Sequence, residues 1–174
     1  MTRANRRRRS RRDEEHPPAG AAMAAALRML SRRDLSEEEI GERLSKKGFP
    51  LAEARATVRR LREVGLVDDP KLCARLARSC RETRGYGSAT IVWALRRRGF
   101  SPALVEETVR EFSAGEEELA AASAALRKKF RGGLLKGREG AAKAYRFLAG
   151  RGFPPETCRR AIGGFLFDIQ EGEG

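Results

Sequence analysis

Histidine is all but missing from this 174-residue chain: the one copy, His16, lies in an arginine-rich stretch beside Pro17 and Pro18. Imidazole is the side chain best suited to moving protons near neutrality, so histidine-based acid–base catalysis is not expected. Cysteine is scarce too. Cys73, Cys80 and Cys158 are odd in number and lack metal-ligand spacing, and the first two stand seven apart on one helical face. They read as reduced core residues rather than a disulfide framework. There is no HExxH, no Walker lysine and no paired CxxC, and the carboxylates fall in first helical turns or at ion-pair spacing. The expectation is a protein that is not an enzyme and holds neither metal nor cofactor.

Long apolar runs are also lacking. Nothing approaches the ~20 apolar residues of a membrane-spanning helix. The arginine-rich start followed by Ala19 to Ala26 imitates a secretory leader only superficially, because alanine is weakly apolar and Arg28 interrupts the run. A cytoplasmic, membrane-free protein is expected. Aromatic residues make up 6% of the chain and charged residues 35%, which predicts small cores under a charged surface. Alternating strand-like patterns are absent: apolar residues recur at three and four rather than two, so the chain reads as all-α.

What the sequence has in abundance is positive charge. Lysine and arginine number 37 against 24 acids, a net +13, and the first fifteen residues, with seven arginines against three acids, supply only +4 of it. The excess on the body points to a polyanionic partner or an acidic protein surface, with nucleic acid the leading candidate. Residues 1–18 form an arginine-rich arm in which nothing could bury a core. It reads as disordered, either a tether for phosphate backbone or a solubilising extension.

The organising motif is Leu95-Arg96-Arg97-Arg98-Gly99-Phe100-Ser101-Pro102, which recurs at Leu44 to Pro50 and Leu148 to Pro154. A glycine just past a helix C-terminus can adopt the left-handed conformation, and the next residue then packs back on the helix. That pairs Leu44 with Phe49, Leu95 with Phe100 and Leu148 with Phe153. Each phenylalanine also precedes the next helix, where it can staple to Ala54, Val105 or Cys158. Eight residues before the glycine stand Ile40, Ile91 and Ala144; ten after it Val58, Val109 and Ile162; thirteen after it Leu61, Phe112 and Phe165. These are helical spacings, and the glycines are 51 and 53 residues apart, a period typical of tandem supersecondary units.

The structural joints are therefore Gly48, Phe49, Gly99, Phe100, Gly152 and Phe153. Three-helix repeats are expected over 19–67, 68–114 and 115–169, with a tail at 170–174, stacked as an elongated, curved array. Local signals support the boundaries. Ser36 and Glu39 form a capping box; Asp69 with Pro70 reads as an N-cap and first helical residue; Glu116, Glu117 and Glu118 complement a helix dipole. Gly85-Tyr86-Gly87 resembles a phosphate loop only loosely, with no strand before it and no lysine–hydroxyl pair after it. Gly132 and Gly133 end a helix, and Ala144 in place of isoleucine predicts the loosest core in the third repeat. Trp93 is off the core register, so it either packs between units or contacts a partner.

Lys47, Arg98 and Arg151 precede the joint glycine in every copy. Cations favour helix C-termini by ~0.3–1 kcal/mol each, which is one explanation; the other is a basic binding stripe. Together with Lys46, Arg84, Arg96, Arg97, Lys128, Lys129 and Arg131, they are the candidate contacts for a polyanion.

Several segments also resemble a known family. Ala26 to Ser31, Leu35 to Leu44, Lys47-Gly48-Phe49, Gly65-Leu66-Val67-Asp68-Asp69 and Gly87 to Phe100 are similar to RecX, bacterial regulators of the RecA recombinase. The match covers about Leu27 to Phe165. The resemblance implies tandem three-helix repeats and a monomer that binds in the groove of the RecA nucleoprotein filament. It also implies damped filament growth, ATP hydrolysis and strand exchange in recombinational repair and the SOS response, with weak nonspecific DNA binding. A stand-alone helical DNA-binding protein, transcriptional or architectural, is the alternative.

Overall fold

A computed structural model describes residues 20–113, 115–131 and 137–171, the side chains of 112 and 166–171 excepted. Among them are nine α-helices and no strand. The first repeat comprises α1 (Ala21–Leu30), α2 (Glu37–Lys46) and α3 (Leu51–Glu63); the second, α4 (Asp69–Glu82), α5 (Ser88–Arg96) and α6 (Pro102–Phe112); the third, α7 (Gly115–Lys129), α8 (Gly137–Gly150) and α9 (Pro155–Glu171). The arginine-rich arm, the Gly132-Gly133 stop and the last three residues lie outside the described residues. The chain divides into two compact units meeting at Asp69 and Pro70. The first holds repeat one, the second repeats two and three.

The first and third joints are built as the motif demands, and the middle one shares their glycine conformation and buried pair. Gly48, Gly99 and Gly152 have φ of 89°, 79° and 81°. Phe49 N donates to Leu44 O at 3.2 Å and Phe153 N to Leu148 O at 3.2 Å, closing the six-residue ring that satisfies a terminal carbonyl. In the middle joint Gly99 N donates to Arg96 O at 2.9 Å. Each leucine–phenylalanine pair belongs to its own repeat's core, together with its staple residue: Ala54, Val105 or Cys158. Ile40, Ile91 and Ala144 are fully buried in the same three cores.

One expectation is corrected and two gain detail. The third repeat's core is rich in aromatic residues beside Ala144: Phe130 and Phe147 meet edge to face at 5.7 Å, and Phe130, Phe153 and Phe165 are buried. Asp69 turns its carboxylate away from its own helix, and Oδ1 accepts from Glu37 N at 3.0 Å, at the first turn of α2. That helix already has the capping box, with Ser36 Oγ accepting from Glu39 N and Glu39 Oε2 from Ser36 N, both at 3.1 Å. Finally, Glu118 stands in the first turn of α7 as expected and does more than complement the dipole: it is buried, accepts from Ser88 N at 2.8 Å and pairs with Arg81 at 3.5 Å. Each acid satisfies the first amide of the preceding repeat's middle helix, a donor no intrahelical carbonyl can reach.

Within the second unit this pairing is part of a seam between repeats two and three. Gly87 N donates to Arg151 O at 2.7 Å and Ala89 N to Gly152 O at 3.1 Å. A Cβ on Gly87 would collide with the backbone of Gly152 and Phe153, and one on Gly152 with Thr90. Gly85-Tyr86-Gly87 is thus a packing surface for the third repeat's joint.

Candidate nucleic-acid interface

Helices that end in a glycine joint expose their last carbonyls, and cations there are favoured by the helix dipole. The first unit places Lys46 and Lys47 at the exposed end of α2, with Lys46 Nζ 3.1 Å from Glu42. Both line a cavity of about 510 Å³ together with Arg28, Arg32, Arg33 and Arg43, over a floor that includes Ala25 and Met29. Those four arginines were not singled out from the sequence. The signal was available: Arg28 lies in the last turn of α1, and Arg32 and Arg33 follow within five residues.

In the second unit Arg84, Lys128, Lys129 and Arg151 come together around a groove of about 550 Å³, joined by Arg81. Its walls are small, Gly85, Ala121, Ala124 and Ala125, and Phe147 forms an aromatic patch; Glu82 is the one acid among its lining residues. The five cations divide by role. Arg151 donates through one Nη to Arg84 O and Gly85 O and lies over the Phe147 ring at 4.7 Å, so it fastens the loop after α4 to the third repeat. Arg81 pairs with Glu118 and lies over Phe153 at 5.8 Å. Arg84, Lys128 and Lys129 are exposed and present their charge to solvent. Arg131, also exposed, is not among the groove's lining residues.

The Arg96-Arg97-Arg98 run is separate from that groove. Arg96 lies 3.4 Å from Glu106, Arg97 stacks over Trp93 at 4.7 Å, and Arg98 is half-buried. Trp93 is 59% exposed.

No reactive thiol is available at either basic cluster. Burial raises the Cys80 thiol pKa, with Arg84 opposing, and burial likewise raises that of Cys158. Such thiols stay protonated and weakly nucleophilic at neutral pH. Among the described residues no group of three His, Cys, Asp or Glu is placed to hold a metal ion, and no helix is long and apolar enough to cross a membrane. What the arrangement offers chemically is charge: exposed guanidinium and ammonium groups on rigid helix ends, suited to phosphate or carboxylate.

Known proteins show the same organisation. A family model described as the first three-helix domain of RecX matches residues 22–61, and one described as its third three-helix domain matches residues 116–162. The regulatory protein RecX of Halorhodospira halophila is 31% identical over 148 residues, covering 85% of this chain and 90% of that protein. That of Thermus thermophilus is 36% identical over 154 residues, covering 87% and 95%. Among solved structures, RecX from Lactobacillus salivarius superimposes with a TM-score of 0.72 at 15% identity, over 84% of this chain and 95% of that one.

Proposed function

The chain belongs to the RecX family of regulatory proteins, and from that premise we propose that it regulates the RecA recombinase, mainly negatively, by binding in the groove of the RecA–DNA filament. The observation that carries this reading is the pair of basic clusters on rigid helix ends, Lys46 and Lys47 with the arginines of α1 and α2, and Arg84, Lys128 and Lys129 on the groove of the second unit. A DNA-bearing filament offers phosphate and carboxylate together, and cations fixed on packed helices meet it without first being ordered.

Regulation then follows from thermodynamics. A binder changes filament growth, hydrolysis or strand exchange only by its differential affinity for one filament state. A tenfold bias needs about 1.4 kcal/mol, well within what a few charge-assisted contacts supply.

The test is RecA's ATP hydrolysis on single-stranded DNA, titrated with this protein. Hydrolysis falls to a plateau, and the triple variant Arg84→Glu, Lys128→Glu, Lys129→Glu needs a higher concentration for the same effect while keeping its melting temperature. Undiminished hydrolysis at saturation refutes the reading. The net charge of +13 favours a second one, direct action on DNA without RecA. It requires tight duplex binding alone, with an affinity falling steeply in salt.

A further inference from the structure

Register comparison singles out one surface pair. Six and two residues before the joint glycine, repeat one places Glu42 and Lys46, which form a salt bridge at 3.1 Å. The same positions in repeat two hold Trp93 and Arg97, with the guanidinium 4.7 Å from the indole centroid, and in repeat three Arg146 and Gly150. The helical geometry that pairs residues four apart is therefore kept in repeat two while the carboxylate is exchanged for a neutral ring. The ring's quadrupole still holds the cation in place, but it leaves the positive charge unneutralised. Arg96 and Arg98 adjoin it, with Glu106 set against Arg96.

Trp93 is the only tryptophan of the chain and is 59% exposed. Arg97 lies over its ring, and Arg96 and Arg98 are next to Arg97 in the chain. We propose that Trp93 and Arg97 form a stacking site for a base of single-stranded nucleic acid, with Arg97 and its arginine neighbours facing the adjoining phosphates. Indole stacks on any base face, and arginine contributes both cation–π and phosphate contacts. A single strand is favoured over a duplex because a ring on a helix surface reaches a base face only where the base is unstacked. Nucleic acid is favoured over an acidic protein surface by the ring: both gain from losing the carboxylate that repeat one carries at this register, but a single strand sets base faces for the indole beside phosphates for the arginines.

The site goes beyond the RecA reading and is tested without RecA, so each can fail alone. Emission from the single indole is followed while an oligodeoxythymidylate is added to the full chain, and affinity is measured in parallel by anisotropy of a labelled oligonucleotide. Saturable quenching is expected, at lower concentration than with a duplex of equal length. Trp93→Ala weakens single-strand binding about tenfold, Trp93→Phe retains most of it, and Arg97→Gln weakens it as well. Both side chains lie on the surface of α5 and its cap, so the melting temperature stays put. The proposal is overturned if the oligonucleotide does not bind, binds with unchanged emission, or binds Trp93→Ala as tightly as the parent. It is equally overturned if emission responds only once RecA is added.

Discussion

Two joint glycines with nearly the same backbone angle stand in different surroundings. Around Gly48, φ 89°, an added Cβ would meet nothing, whereas at Gly152, φ 81°, it would run into Thr90 backbone and side chain. Alanine at 48 therefore bears only the left-handed cost, about 1–2 kcal/mol. At 152 an overpacking cost of about 1–3 kcal/mol is added. Denaturant unfolding should rank Gly152→Ala well below Gly48→Ala in stability, and equal losses would mean that Thr90 yields freely. Asp69 offers a second residue-scale test. Burial raises its pKa, the hydrogen bond from Glu37 N opposes this, and Glu37, Asp68 and Glu39 raise it further. A raised folded pKa means that the stability this group contributes is full below its ordinary value of 3.8 and is lost as pH rises through the folded value. Asp69→Asn keeps an oxygen for Glu37 N and removes the charge. Its melting temperature should exceed the parent's at neutral pH, the gap closing as pH falls toward 4; a lower one at neutrality would mean that attraction to the α2 dipole outweighs burial.

At the scale of the helix and its joint, one short motif does the work of two caps, and its dependence on burial is measurable. Phe100 is 3% exposed while its counterpart Phe49 is only half-buried. Phe100→Ala should cost about 3–5 kcal/mol and Phe49→Ala distinctly less, read from urea midpoints at unchanged slope. This was the most legible level of the sequence, since the same leucine, glycine and phenylalanine recur at fixed offsets and helical periodicity reports each helix's own buried face. The unequal burial of the two phenylalanines was not legible, because it depends on which elements close over each joint. Nor were the roles of Asp69, Glu118 and Arg151. All three sit at helix ends, where a charge has a sufficient local explanation in the dipole, and their actual partners lie 32, 30 and 67 residues away. The candidate cations fared likewise: their positions could be read, but not that Arg151 would be committed to backbone carbonyls while Arg84, Lys128 and Lys129 remain exposed.

At the largest scale that the packing defines, repeats two and three behave as one body because their seam is made of groups that neither repeat can satisfy by itself. The amides of Gly87, Ser88 and Ala89 open α5, and their acceptors are Arg151 O, Glu118 Oε1 and Gly152 O, all from the third repeat. Glu118 also carries the charge opposite Arg81, with side-chain exposures of 3% and 11%, so both ions are largely withdrawn from water. Removing one member of such a pair leaves the other buried and uncompensated, a loss of about 3–5 kcal/mol. Glu118→Ala should show that loss in chemical denaturation. Glu118→Gln should lose less, since its oxygen can still accept from Ser88 N. If the seam couples the repeats, hydrogen exchange in Glu118→Ala will speed up not only at Gly87, Ser88 and Ala89 but through the cores around Ile91 and Leu148, which lie in different repeats. Acceleration confined to the three seam amides would instead make Glu118 a local cap, with the two cores held together by their backbone contacts alone.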